Sequence, residues 1–346
     1  MKDIKILHRE RLLVRDFFSR YGKDLQMACH SKESCLDAPI AESGIHRPGL
    51  AMAGYTKVYS SQQIQVVGHT EWNYLESIGP EGRAKVFENL SVFKAPMWVV
   101  THSQMPHPEL REMCAKLGIP LFSTTLHTYE FNKAAQRILE EFFAPHAIIH
   151  GSLVDVYGVG MLYVGDSNVG KSECVLDLVE SGHRMVADDV VHISNVGRSI
   201  IGRPDPLIKH HMEIRGVGIL DIRSMFGIHA IRKVKKIETI VELQQWQRDT
   251  SYDRTGLNGQ EEVIMGVRIP KIVIPVAPGK NLTVISEVIA MNTLMKYNGQ
   301  NVAEEFNEAL MQKIKAKAKG ESLFFDLLQM IILKGKMEVP STFVIA

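Results

Sequence analysis

The sequence predicts an α/β protein in two parts: a small N-terminal α/β domain over residues 1–131, and a second domain over 132–346 that closes with helices. Three observations lead there. In the first part, short runs of β-formers alternate with stretches of helical spacing, the pattern of a mainly parallel sheet. From Ala147 the style changes to closely spaced strands. Gly165–Ser172 then reads GDSNVGKS, a glycine-rich loop between the apolar run Met161–Val164 and a helical stretch from Glu173.

The elements follow in order. The first 45 residues read as a helical or irregular lead, punctuated by Arg47-Pro48-Gly49. Ile64–Val67 reads as a strand ending at Gly68, and Glu71–Leu90 as helix interrupted at Gly79-Pro80. Met97–Thr101 is a run of β-formers, closed by a loop holding Pro106 and Pro108. Leu110–Leu117 suits a helix stopped by Gly118, and Ile119–Ser123 the next strand. Thr128–Phe143 is helical up to Pro145 and connects the two domains, with a boundary near residue 130. Beyond it AIIHGSLVDVYG, VGMLYVG and HRMVADDVVHI read as strands, as do Ile272–Val276 and Thr283–Ile285. Glu287–Leu294 and Val302–Ala318 read as closing helices.

Composition excludes several classes. Lys and Arg number 40 against 39 Asp and Glu, a net charge of +1, so no global field draws the chain to nucleic acid or an anionic membrane. The basic run Ile231–Lys236 lacks interleaved aromatics and reads as a solvated face or a local patch, so no nucleic-acid binding is expected. The most apolar stretches, Ala144–Val164 and Leu323–Leu333, are broken by His150, Asp155 and Asp326. A membrane helix needs about 20 apolar residues, so no membrane association is expected. Met1–Phe18 carries charges throughout and lacks a signal-peptide core. Cys29, Cys35, Cys114 and Cys174 form no CxxC pair, which fits a reducing cytoplasm. Cys29-His30 with Cys35 lacks a second ligand pair, so no metal site is expected there.

The loop carries the chemistry. In a GxxxxGK[ST] loop the backbone N–H groups point inward and cradle phosphate oxygens, while the helix N-terminus adds partial positive charge. Gly165, Asp166, Ser167, Asn168, Val169, Gly170, Lys171 and Ser172 are therefore the candidate nucleotide-binding residues. Lys171 would reach the β- and γ-phosphates, and the Ser172 hydroxyl would be offered to Mg²⁺. Downstream, Arg184–Asp189 reads as a strand with two acids at its C-terminal end, where such proteins meet Mg²⁺ or its water. Side chains alternate across a strand, so Asp188 and Asp189 face one site only if the chain bends between them. One would then act on the metal shell and the other as general base.

Met212–Gly218 sets Glu213 and Arg215 beside two glycines, which suits close backbone approach to a ligand. Taken alone, His150 reads as a structural histidine. The loop by itself fits transfer to a protein, a small-molecule kinase or NTPase, or a nucleotide-sensing oligomer; the paired acids favour transfer.

Together these segments resemble the bacterial HPr kinase/phosphorylases. The resemblance rests on His150-Gly151 through VDVYGVGMLYVGDSNVGKSE, GHRMVADDVV, MEIRGVGILDIRSMFG, Tyr252–Leu257, IPVAPGKN and SEVIAMN, with RPGLAMAGY and QIQVVGHTEWNYL upstream. It implies a cytoplasmic hexamer whose P-loop domain phosphorylates a serine of the phosphocarrier protein HPr with ATP or pyrophosphate and Mg²⁺. It also implies the reverse removal of that phosphate by inorganic phosphate, releasing pyrophosphate.

Residue roles follow from the match. Asp189, with Asp188 beside it, is the implied base for the serine and the acid of the reverse step. Lys171 holds the transferring phosphate, Ser172 and Glu213 hold Mg²⁺, and Arg254 binds phosphate through its guanidinium fork. His150 becomes an implied catalytic residue. Asn168 stands where the family carries glycine, a position where asparagine tolerates left-handed backbone. Ala277 and Lys280 replace common arginines in a block associated with dephosphorylation, and Glu321–Ala346 extends past the matching blocks.

Overall fold

The computed structural model describes residues 4–246, 260–301, 305 and 308–314. The chain divides into two compact units. One comprises residues 1–149 with His192–Arg203 and Ile264–Val267; the other comprises His150–Val191, Pro204–Val263 and the chain from Arg268 onward.

In the first unit, helix α1 (Val14–Tyr21) precedes strand β1 (Met27–Cys29), and β2 (Ile45–His46) leads to β3 (Ile64–Val67). Helices α2 (His69–Ser77) and α3 (Gly79–Leu90) carry the chain to β4 (Trp98–Val100), and α4 (Pro108–Leu117) to β5 (Leu121–Thr124). Helix α5 (Thr128–Phe143) follows. The sheet order is β1-β5-β4-β3-β2, parallel from β2 to β5, with β1 antiparallel at the edge. The central strands are buried on both sides and run without polar alternation, as a covered parallel sheet requires. Side chains of α2, α3 and α4 pack on one face around Trp98 and Phe87, while α1 and α5 pack on the other around Phe17, Phe122 and Phe131. The lead predicted as helical or irregular thus supplies a helix and two strands of this sheet.

The second unit is built on six strands among the described residues: β6 (Ser152–Val156), β7 (Val159–Gly165), β8 (Arg184–Ala187), β11 (Thr239–Gln245), β12 (Gln260–Ile264) and β13 (Val267–Val276), ordered β8-β6-β7-β11-β13-β12. A separate hairpin, β9 (His211–Ile214) with β10 (Gly218–Asp221), spans the segment read from sequence as a glycine loop. Strand β7 runs parallel to β11 and antiparallel to β6, and β8 is also antiparallel to β6. The start of β6 and the ends of β7 and β8 therefore meet at one edge of the sheet.

Helix α6 (Lys171–Glu180) packs Cys174, Val175, Leu178 and Val179 onto this sheet, two neighbouring pairs one turn apart. Helix α7 (Leu282–Tyr297) starts where Asn281 accepts the Val284 N–H at 3.0 Å. Thr283–Ile285, predicted as a strand from its β-branched residues, is the first turn of α7: the cap and the burial of Thr283, Ser286, Ile289 and Ala290 override local propensity. The basic run is partly absorbed by structure. Lys235 is buried and donates to Gly158 O at 2.6 Å, and Arg232 pairs with Asp155.

Candidate active site

Strand β7 is buried from Val159 to Val164 and delivers the chain to the loop. Gly165 has φ 140°, and a Cβ there would stand 2.3 Å from Leu243 O of the neighbouring strand β11. Only glycine fits that approach. Gly170, at φ 95°, is the N-cap of α6 and turns the chain into the helix. Asn168 takes φ 73°, the left-handed conformation expected of asparagine at this place. Lys171 Nζ donates to Gly165 O at 3.0 Å and Asp166 O at 2.9 Å, so the ammonium is held across the loop.

The two aspartates lie where β8 ends. The chain bends at Asp188-Asp189, and Val190 N–H donates to Asp188 O at 2.8 Å, closing a three-residue turn centred on Asp189. Asp189 takes φ 62° and Gly151 N–H donates to its carbonyl at 3.0 Å, which fixes the turn against the start of β6. The bend meets the condition set by strand alternation, because both aspartates line the same cleft as the phosphate loop.

Their environments differ. Asp188 is buried and accepts a hydrogen bond from the Ser152 hydroxyl. Burial pushes its pKa up, opposed by hydrogen bonds from Ser152, Ser172 and the Asp189 backbone and reinforced by the neighbouring Asp189 charge. Asp189 is exposed to the cleft. A buried, restrained carboxyl beside an open one is an arrangement that separates a positioning group from a proton acceptor.

The cleft encloses about 240 Å³ and is also lined by Ser167, Ser172, Glu173, Glu213 and Arg215. Glu213 comes from β9, whose alternate residues Met212 and Ile214 are buried while Glu213 faces outward. Hairpin β9–β10 thus presents an acid and a guanidinium towards the loop, with Gly216 at φ 78° in its turn. Ser172, Glu213 and the two aspartates are hard oxygen donors of the kind Mg²⁺ takes. Among the described residues no three acids, histidines or cysteines converge as a dedicated cage. Mg²⁺ is usually held by one or two carboxylates together with substrate phosphates.

Of the residues predicted from sequence, Asn168, Lys171, Ser172, Asp188, Asp189 and Glu213 are brought together around this cleft with Ser167 and Gly170. His150 is exposed at the end of strand His146–His150, next to the Gly151 contact with Asp189, and does not line the cleft. Arg254 lies outside the described residues, as do Leu323–Leu333 and most of Val302–Ala318. Sequence reasoning missed Ser152. Its only signal was its place two residues after His150 at the start of a strand.

A glycine-rich phosphate loop between a buried strand and a helix, faced by paired carboxylates at the same sheet edge, defines a phosphoryl-transfer site of the P-loop class. Residues 12–139 match the family described as HPr Serine kinase N terminus, and residues 141–310 match the HPr Serine kinase C-terminal domain. The chain belongs to the HPr serine kinase family. A protein of Chloroherpeton thalassium named HPr kinase/phosphorylase is 45% identical over 280 residues, covering 81% of this chain and 82% of its own. One from Prosthecochloris aestuarii with the same name is 40% identical over 324 residues, covering 93% and 94%. The solved HPr(Ser) kinase/phosphatase of Coxiella burnetii aligns with 44% of this chain and 98% of its own at 27% identity and TM-score 0.41.

Proposed function

We infer that the protein is a bifunctional HPr kinase/phosphorylase, transferring a phosphoryl group from a nucleotide to a serine of HPr and removing it by phosphorolysis. The observation that carries the mechanism is the shared edge of the sheet: the P-loop and Asp188-Asp189 line one cleft, Asp188 buried and Asp189 exposed. In the forward direction the serine oxygen forms a bond to the γ-phosphorus, the bond to the β-phosphate oxygen breaks, and Asp189 takes the serine proton as ADP leaves. In reverse, an oxygen of inorganic phosphate forms a bond to the phosphoserine phosphorus, the bond from that phosphorus to the serine oxygen breaks, protonated Asp189 gives its proton to the departing serine oxygen, and the pyrophosphate so formed is released. One group serves both directions, as microscopic reversibility demands.

Lys171 neutralises charge on the transferring group, and the loop N–H groups fix the phosphates in line. Asp188, held by Ser152, orients the polar shell around Ser172. Ser172 and Glu213 would hold Mg²⁺, which when bound supplies charge neutralisation at the phosphates. His150 and Arg254 are assigned catalytic support by family resemblance. Pyrophosphate as an alternative donor, a hexameric assembly, a cytoplasmic setting and a division into a structural or regulatory domain up to residue 131 and a catalytic domain beyond it complete the reading. Among the described residues no helix is long and apolar enough to cross a membrane.

The test is transfer from γ-labelled ATP to purified HPr and to HPr with its acceptor serine changed to alanine. Label on the first protein alone supports the reading. ATP turnover with no protein label would point to a small-molecule kinase, and ATP binding without turnover to a nucleotide sensor.

A further inference from the structure

The first unit holds a second crevice, remote in sequence from the phosphate loop. It encloses about 560 Å³, room for a small organic ligand. It lies at the carboxyl ends of the parallel strands, the edge at which open α/β sheets bind ligands. Its lining comes from Ile45 and Arg47 at β2, His102 after β4, His127 and the first turns of α5.

His102 after β4 and His127 after β5 line the crevice, and His69 after β3 stands beside His102, outside the lining. Their rings form a row, with centroids 5.4 Å apart between His69 and His102 and 4.6 Å between His102 and His127. His102 and Ser103 both take left-handed backbone, φ 63° and 56°, a strained conformation that a hydrogen bond between His102 Nδ1 and the Thr101 hydroxyl at 2.9 Å helps to hold. Arg47 and Lys133 add positive charge to the lining. Arg47 is anchored by buried Glu71 at 2.7 Å while remaining half-exposed. Asn132 contributes a buried Oδ1 with no partner among the described residues. Imidazole N–H donors, two flanking cations and an orphaned acceptor on a strained frame describe a place made to receive a ligand.

We propose that this crevice is a binding site for a small phosphate-bearing anion, separate from the phosphate loop and independent of the transfer chemistry assigned to it. The phosphate sits against His102, His127 and Lys133, and Asn132 accepts from a donor on the same ligand.

Backbone hydrogen exchange on the full chain separates the two sites, using inorganic phosphate and pyrophosphate as probes. The expected result is protection of peptides spanning 101–106 and 127–136 in addition to the loop at 165–173. In the double variant H127Q/K133E, both positions being exposed, protection of the first two peptides is lost while that of the loop persists. Protection confined to 165–173 in the unaltered chain would overturn the proposal. So would N-terminal protection that survives the double substitution.

Discussion

Asp189 occupies left-handed backbone at a turn between two strands, a conformation that aspartate and asparagine adopt more readily than most residues. Asp189→Asn therefore keeps the turn while removing the proposed proton acceptor. Transfer to HPr is expected to fall by about 10²–10⁴-fold, the usual worth of a positioned base, with ATP affinity unchanged by equilibrium titration.

Asp188 gives a pH signature. Its pKa is raised in the fold by burial, so the protonated form is favoured there. Stability from this group is fully present below the ordinary carboxylate range and is lost as pH rises through the raised value. Asp188→Asn, which cannot ionise, should thus gain stability relative to the unaltered chain as pH rises from acid to neutral. Paired thermal melts across that range check it: a melting temperature of the variant minus that of the unaltered chain that stays flat or falls with rising pH would contradict the assignment.

At the scale of elements, the site depends on how close β7 comes to β11. Gly165→Ala sets a methyl against Leu243 O and forces an unfavourable φ, at a cost of about 1–3 kcal/mol or more, so nucleotide affinity and stability should fall together in calorimetry and denaturant titration. Leu178 on α6 is fully buried against the same sheet, and Leu178→Ala should cost about 2–5 kcal/mol in the same titration.

Elements whose signals are local were legible in the sequence. The loop's glycines, the apolar β7, the break at Gly79-Pro80 and the acids ending β8 all carry their cause within a few residues. Strand β11 was not seen. Its Glu242 makes Thr239–Gln245 look polar, and the cation that satisfies it, Lys271 at 2.5 Å, comes from β13 far along the chain. Ser152 was invisible for the same reason: its partner Asp188 reaches it only through the β6–β8 pairing. The bend that turns both aspartates into one cleft was stated as a condition, and the backbone of Asp189 supplied the answer.

For the whole molecule, the assembly and the two directions of reaction belong to one account. A hexamer predicts a single species of six chain masses in sedimentation equilibrium, with monomer as the contrary result. Ala277 and Lys280 stand where the resemblance sets arginines in a block associated with dephosphorylation, and we propose that they bear on the reverse direction. Lys280 donates to Pro275 O at 2.8 Å and lines a groove beside α6 and α7, outside the cleft that holds the aspartates. Lys280→Arg should therefore leave the forward rate within about twofold while changing the rate of phosphorolysis, a split read by running both assays on one preparation.

The most direct test of the central claim loads HPr with labelled phosphate using this protein, ATP and Mg²⁺, removes the nucleotide, and chases with inorganic phosphate, side by side with Asp189→Asn. The account predicts labelled phosphoserine, then labelled pyrophosphate, with both steps largely lost in the variant. Full transfer by Asp189→Asn, or no transfer to HPr by the unaltered protein while it still binds ATP, would contradict it.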